Sequence, residues 1–185
     1  MKIKFKILTI MMAIVLILAS CGSNNGGESP TPTEPQSTGN NTNSPVTTEE
    51  KSKYFFEHNG ISIYMNDKAE PVLDALGEPM HYFESPSCAF QGIDRVYTYS
   101  GFELYTYTDG DDDTEYIFSV VFMNDGVETR EGITLSNKLN DIISKYGNDY
   151  DQKNDKYTYT DANTTLAFVI KDEEVVDVSY NLIVN

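Results

Sequence analysis

Gly132-Ile133-Thr134-Leu135-Ser136-Asn137-Lys138-Leu139-Asn140-Asp141-Ile142-Ile143-Ser144-Lys145-Tyr146-Gly147 is the stretch from which the rest of the chain can be read. Leu139, Ile142, Ile143 and Tyr146 fall at i, i+3, i+4 and i+7, the spacing of one helical face. Gly147 suits the left-handed stop of a helix, and Ser136, three residues ahead of the apolar set, is a capping type. Seventy residues upstream the pattern recurs as Asn66, then Ala69, Val72, Leu73 and Leu76, then Gly77. The lead-ins also match, Gly60-Ile61-Ser62-Ile63 against Gly132-Ile133-Thr134-Leu135. Pro71 would remove a helical hydrogen bond unless the first helix starts late or kinks.

Alternating β-branched and aromatic residues follow each helix. Val96-Tyr97-Thr98-Tyr99 corresponds to Lys156-Tyr157-Thr158-Tyr159, residues 103–107 to 165–169, and residues 117–122 to 175–180. Polar turns such as Ser100-Gly101 and Lys171-Asp172-Glu173 separate them. The pattern predicts an α+β fold of two tandem repeats, 53–129 and 130–185, each a helix followed by a three-stranded meander. Together they form an antiparallel sheet with helices on one face. A single helix on three strands would hardly bury a core alone, which is the physical case for two copies.

This plan resembles the fold of the β-lactamase inhibitor protein and of small envelope-assembly lipoproteins over about residues 58 to 183. The likeness rests on residues 132–137, the helix end Lys145-Tyr146-Gly147 and the closing strand 175–180. The first copy is also similar to uncharacterised lipoproteins of Gram-positive bacteria through Ser87-Cys88-Ala89-Phe90-Gln91-Gly92 and Val96-Tyr97-Thr98-Tyr99. These likenesses imply a protein-binding sheet face and bring no catalytic residues with them; fold alone does not fix function.

Outward from the domain, residues 1–6 carry three lysines and residues 7–19 are almost wholly apolar, the n- and h-regions of an export signal. Thirteen residues fall short of the roughly 20 that a membrane-spanning helix needs. Leu18-Ala19-Ser20-Cys21-Gly22 resembles the lipobox of bacterial lipoproteins at every position. That resemblance implies a signal peptide over 1–20, cleavage before Cys21, and acyl chains on Cys21 holding the protein to the extracytoplasmic face of a cell membrane. Two or three chains anchor firmly because each buried methylene adds about 0.8 kcal/mol. Residues 21–52 form the acylated N-terminus and a Ser/Thr/Asn/Gly/Pro linker with Val46 as its only apolar side chain after the anchor, a composition that cannot offset its own ordering entropy. Flexible-chain scaling gives this tether an end-to-end reach of roughly 30 Å. The remaining 133 residues suit one domain.

Of the 13 basic residues, three lie in the signal, so the mature chain holds ten against 29 acidic ones, a balance of −19. That excludes nucleic acid as a partner and permits a cationic one. With Cys21 acylated, Cys88 has no disulfide partner. Cys88 with His81 is the one thiol–imidazole pair close in sequence, and it defines an alternative reading as a thiol enzyme or redox protein. Its surroundings carry no protease or transpeptidase signature, and a lone cysteine is more often a small buried hydrophobe. The run Asp109-Gly110-Asp111-Asp112-Asp113-Thr114-Glu115 offers carboxylates at alternate positions and defines a second alternative, a calcium-responsive module. It fails the calcium-loop template, with Thr114 at the sixth place and Val120 at the twelfth, and reads as a solvated hairpin tip. No paired histidine spacing or glycine-rich phosphate loop is present, so no catalytic, cofactor or metal residue is predicted.

The chain has thirteen tyrosines, and three pairs of them, 97 and 99, 105 and 107, 157 and 159, alternate along strands and so share sheet faces. They are either core beneath the helices or an aromatic surface on the uncovered face. The leading expectation is a non-enzymatic envelope module binding a protein or peptide, anchored through Cys21.

Overall fold

The computed structural model describes residues 50–110 and 112–184. The chain divides after Pro45 into two units, and the first unit, with the expected signal and Cys21, lies outside the described residues, as do residues 46–49 of the expected linker. Asp111 of the acidic run lies outside them too.

Extended chain enters at Glu50 and packs at once. Ser52 is buried, its Oγ accepting the Tyr54 N–H at 3.0 Å, and the Lys53 N–H donates to Asp161 Oδ2 at 2.7 Å. Strands β1 (Phe56–His58) and β2 (Ile61–Ile63) form a hairpin. Its turn is Asn59-Gly60, with φ of 51° and 79°, the left-handed pair that a two-residue hairpin demands. Helix α1 (Glu70–Leu76) follows, then β3 (His81–Pro86), β4 (Ile93–Thr98), β5 (Phe102–Asp109) and β6 (Asp112–Phe122). Helix α2 (Leu139–Tyr146) leads to β7 (Asp151–Lys153), β8 (Lys156–Asp161), β9 (Thr164–Lys171) and β10 (Glu174–Leu182).

All of β3 to β10 join one antiparallel eight-stranded sheet in the order β3-β4-β5-β6-β10-β9-β8-β7. Its middle seam is narrow: β6 meets β10 through only Ser119↔Asn181, Val120↔Tyr180 and Val121↔Ser179. Ser119 Oγ reinforces it, 2.9 Å from both the Tyr180 carbonyl oxygen and Asn181 Oδ1. Away from the seam, short extended segments pair with the half-strands left over. The Asn66 N–H donates to the Ile117 carbonyl, the Ile117 N–H to that of Asp67, and the Ala69 N–H to that of Glu115, at 2.8 to 2.9 Å. Ser136 and Asn137 do the same for Val175.

The architecture overturns the expected α+β fold of two tandem helix-plus-three-stranded-meander repeats. Among the described residues the protein is mostly β, one continuous eight-stranded sheet with a separate two-stranded hairpin, and the helices there are only seven and eight residues long. The reading missed β3 and β7 because edge strands bury little. His81-Tyr82-Phe83-Glu84-Ser85-Pro86 and Asp151-Gln152-Lys153 show no apolar alternation, since only backbone pairing to a neighbour makes them strands. Asn66 and Ser136 are not helix caps. Both hold positive φ, 68° and 78°, where chain turns from the flanking segment toward the helix. At α2 the cap comes from inside the helix, where Asp141 Oδ2 accepts the Lys138 N–H at 2.8 Å, a bond that lowers the Asp141 pKa. Pro71 sits in the first turn of a late-starting α1, where its missing N–H goes unneeded. Gly77 and Gly147 end their helices at positive φ, each N–H donating to the carbonyl four residues back.

One core serves the domain. A single cross-sheet row, Tyr82-Tyr97-Leu104-Val120-Tyr180-Leu166-Tyr159, follows from the register and lies on the helix side. Leu104, Val120, Tyr180, Leu166 and Tyr159 in that row are buried, with Val72 of α1, Ile142 of α2 and Phe56 of β1 in the same cluster. Burying one such aliphatic side chain contributes about 1.5–3 kcal/mol. Tyr82 lies at the row's open end, 50% exposed.

Candidate functional site

The tyrosines divide between the two faces. Tyr97, Tyr99 and Tyr159 turn to the core; the Tyr159 hydroxyl donates to the Gly147 carbonyl at 2.8 Å and that of Tyr99, just past β4, to the Gly77 carbonyl at 3.2 Å, so each ties the sheet to a helix end. Tyr105 and Tyr107 lie on the opposite face. Cross-strand pairing aligns Phe83, Val96, Tyr105 and Ser119 there in one row and His81, Thr98, Glu103 and Val121 in the next. Phe83, Val96, Tyr105 and Val121 lie outside the core cluster.

Strand β3 is the border of this face. It ends the sheet order, so one side of its backbone has no strand beside it among the described residues. Exposed apolar side chains gather on it: Met80 just before the strand is 65% exposed, Tyr82 50% and Phe83 61%. Tyr82 and Phe83 project to opposite sheet faces by strand alternation, so the edge carries an aromatic group on each side. Natural sheets usually blunt such an edge, and one left apolar is a template for an added strand.

A polar network stiffens the edge from the helix side. Tyr82 donates its hydroxyl hydrogen to Glu84. Arg95 on the neighbouring strand spans two carboxylates, with Nε 3.4 Å from Glu84 Oε2 and Nη1 3.4 Å from Glu115 Oε2. Thr106 donates to the other oxygen of Glu115. The bond to Glu84 raises the Tyr82 pKa, and burial followed by the neighbouring Glu115 raises that of Tyr97. On the uncovered face the Tyr105 hydroxyl donates to Glu103 Oε2 at 2.6 Å; burial and that bond push its pKa up to about 12. Strands β3 to β6 hold seven Asp and Glu residues against Arg95 as their one Arg or Lys. The edge is therefore apolar in its side chains and acidic in its field.

The loop from β3 to β4, residues 87–92, closes on itself and docks on β5. The Ser87 N–H donates to the Gly92 carbonyl at 2.9 Å, and Ser87 Oγ accepts the Ala89 and Phe90 N–H groups at 3.2 and 2.9 Å. The Phe90 ring stacks on Tyr107 with centroids 3.8 Å apart. Those two rings, with Ala162, Leu182, Ile183 and Val184, wall part of a groove of about 580 Å³ where β10 runs past its pairing with β6.

Cys88, expected as a buried hydrophobe, is exposed in this loop. His81 opens β3 and Cys88 lies beyond its other end. The strand between 81 and 86 spans about 17 Å, so the fold does not bring the thiol to the imidazole. Within the acidic run β5 ends at Asp109 and β6 starts at Asp112, and these two residues pair. Glu115 is turned away to Arg95 and Thr106, and no group of three or more His, Cys, Asp or Glu side chains is placed to hold a metal among the described residues. Nor is any helix of the described residues long and apolar enough to cross a membrane. The β3 edge escaped the sequence reading. Its one signal was three large apolar residues, Met80, Tyr82 and Phe83, between Pro79 and Pro86 with neither helical nor alternating period.

No family model matches the chain, and no curated protein matches it. A similar solved structure is that of a DUF4309 family protein, YjgB, from Bacillus subtilis. It shares 19% identity over 63% of this chain and 78% of that one, with a TM-score of 0.34, and a likeness at that score carries no assignment of fold or function.

Proposed function

We propose that this protein is a lipid-anchored module on the extracytoplasmic face of the cell membrane that takes up an extended, basic polypeptide segment along β3. The observation that carries the reading is the β3 edge, with no strand beside it among the described residues and with Met80, Tyr82 and Phe83 exposed along it. An added strand gains main-chain hydrogen bonds along the edge, and its alternate side chains meet Phe83 on one face and Tyr82 on the other. The acidic field of β3 to β6 selects the occupant. A second copy of the same edge would bring like charges together, whereas a segment flanked by lysine or arginine meets complementary potential. Lipidation at Cys21 keeps the module at the membrane, and the tether lets the edge search a shell of roughly 30 Å. The role is binding, without a reaction of its own.

The test places a photoreactive phenylalanine analogue at position 83 of the full-length anchored protein. A control carries it at Asp172 in the β9–β10 turn. Adducts to one recurring polypeptide at position 83, with a basic segment at the crosslinked site and loss of adduct in a Tyr82→Lys background, are expected. Equal labelling at both positions, or labelling indifferent to Tyr82→Lys, would count against the edge.

A further inference from the structure

We infer that a second site, on the helix side and separate from the β3 edge, holds a small anionic group, a phosphate or a carboxylate, among Lys53, Arg130 and Lys145. In a domain so rich in acids, these three cations line one pocket of about 240 Å³ together with Tyr54, Tyr146 and a single acid, Glu131. They come from three separate parts of the chain, the entering segment, the loop before α2 and the last turn of α2. Three of the ten Lys and Arg residues between 50 and 184 converge there against one carboxylate.

The pocket's acid is already engaged. Glu131 Oε2 accepts the Tyr146 hydroxyl at 2.5 Å, and Oε1 lies 3.3 Å from Arg130 Nη2. The Arg130 guanidinium carbon also lies 4.7 Å over the Phe55 ring, and the planar group carries further N–H donors for a ligand. The Lys53 ammonium lies 5.0 Å over the Tyr54 ring, and neither it nor that of Lys145 is in an ion pair among the described residues. The hydroxyl of Tyr180 is buried near Tyr146, Glu131 and Arg130 but does not line the pocket. Two ammonium groups in no ion pair among the described residues, one guanidinium held over an aromatic ring and two tyrosine walls match an anion carried on a flat or apolar body. A cation meets net repulsion there.

The experiment titrates the full chain in neutral detergent with sodium phosphate and, in a separate arm, sodium acetate. Ionic strength is held constant with chloride. Melting temperature and tyrosine fluorescence are read, the latter because Tyr54 and Tyr146 line the pocket. A saturable rise above the chloride baseline is expected in one arm or both, and the more effective arm identifies phosphate or carboxylate chemistry. Arg130→Gln and Lys145→Gln should each weaken it about ten-fold, while Lys171→Gln, a cation on β9, leaves it unchanged. Baseline melting of each variant in chloride separates lost binding from lost folding. Equal stabilisation by chloride, or equal response of all three variants, overturns the site. Because β3 takes no part, Tyr82→Lys should leave this titration untouched even if the edge binds nothing.

Discussion

Thr108 and Gly92 are in such close approach that a Cβ at position 92 would stand 2.3 Å from the Thr108 carbonyl oxygen and 2.4 Å from its Oγ1. The contact is against backbone of a buried residue in β5, so neither side yields by turning a side chain. The next residue is fixed by the same partner, with the Ile93 N–H donating to Thr108 Oγ1 at 2.9 Å. Gly92→Ala must therefore lift the 87–92 loop off β5. A loss of about 1–3 kcal/mol in denaturant unfolding is expected, with faster amide exchange confined first to that loop. Unchanged stability would mean that the loop does not bear on β5.

Arg95 offers a second test. Its side chain is 22% exposed and that of Glu115 is 18% exposed, so Arg95→Met leaves Glu115 half-buried without its cation. About 1–3 kcal/mol of stability should be lost, less than for a fully buried pair because solvent screens part of the charge. Adding Glu115→Gln to Arg95→Met should recover much of that loss, and a double-mutant cycle reads the coupling.

Alkaline titration tests the tyrosine burial. Burial and neighbouring groups raise Tyr105 and Tyr159 from 10.0 to about 12 in the folded state, and Tyr146 and Tyr180 higher still. A raised tyrosine pKa means that the folded state favours the neutral phenol. The stabilisation is fully present below pH 10 and is lost as pH rises through the folded value. Stability should fall steeply between pH 10 and 12, with phenolate absorbance appearing cooperatively with unfolding. Separate titration of most tyrosines near 10 in a still-folded protein would refute the burial.

Cys21→Ser tests the anchor. The expected outcome is a precursor that keeps its signal or a protein released from the membrane, judged by metabolic labelling with a fatty acid and by fractionation. Normal processing and retention in the serine variant would remove lipidation from the proposal.

The helices were legible because their rule is local. Val72 and Ile142 are buried where the i, i+3, i+4, i+7 spacing puts them, and Gly77 and Gly147 stop the helices as expected. The inner strands were legible for the same reason, since Leu104, Val120, Leu166 and Val178 alternate toward a core. The candidate edge was not. Nothing in Tyr82-Phe83-Glu84 separates a strand from a loop until β4 lies beside it.

The amino-acid sequence by itself determined the short helices with their glycine stops, the alternation of the buried strands and the acidic balance. Each depends on residues a few positions apart. Only the tertiary structure decided that β6 and β10 join through three residue pairs into one sheet, which tyrosines face the core, and that β3 ends the sheet among the described residues. Strand pairing is a backbone bond between distant segments, and small residues such as Ser119 and Ser179 are buried at that seam by their neighbours and carry no pattern of their own.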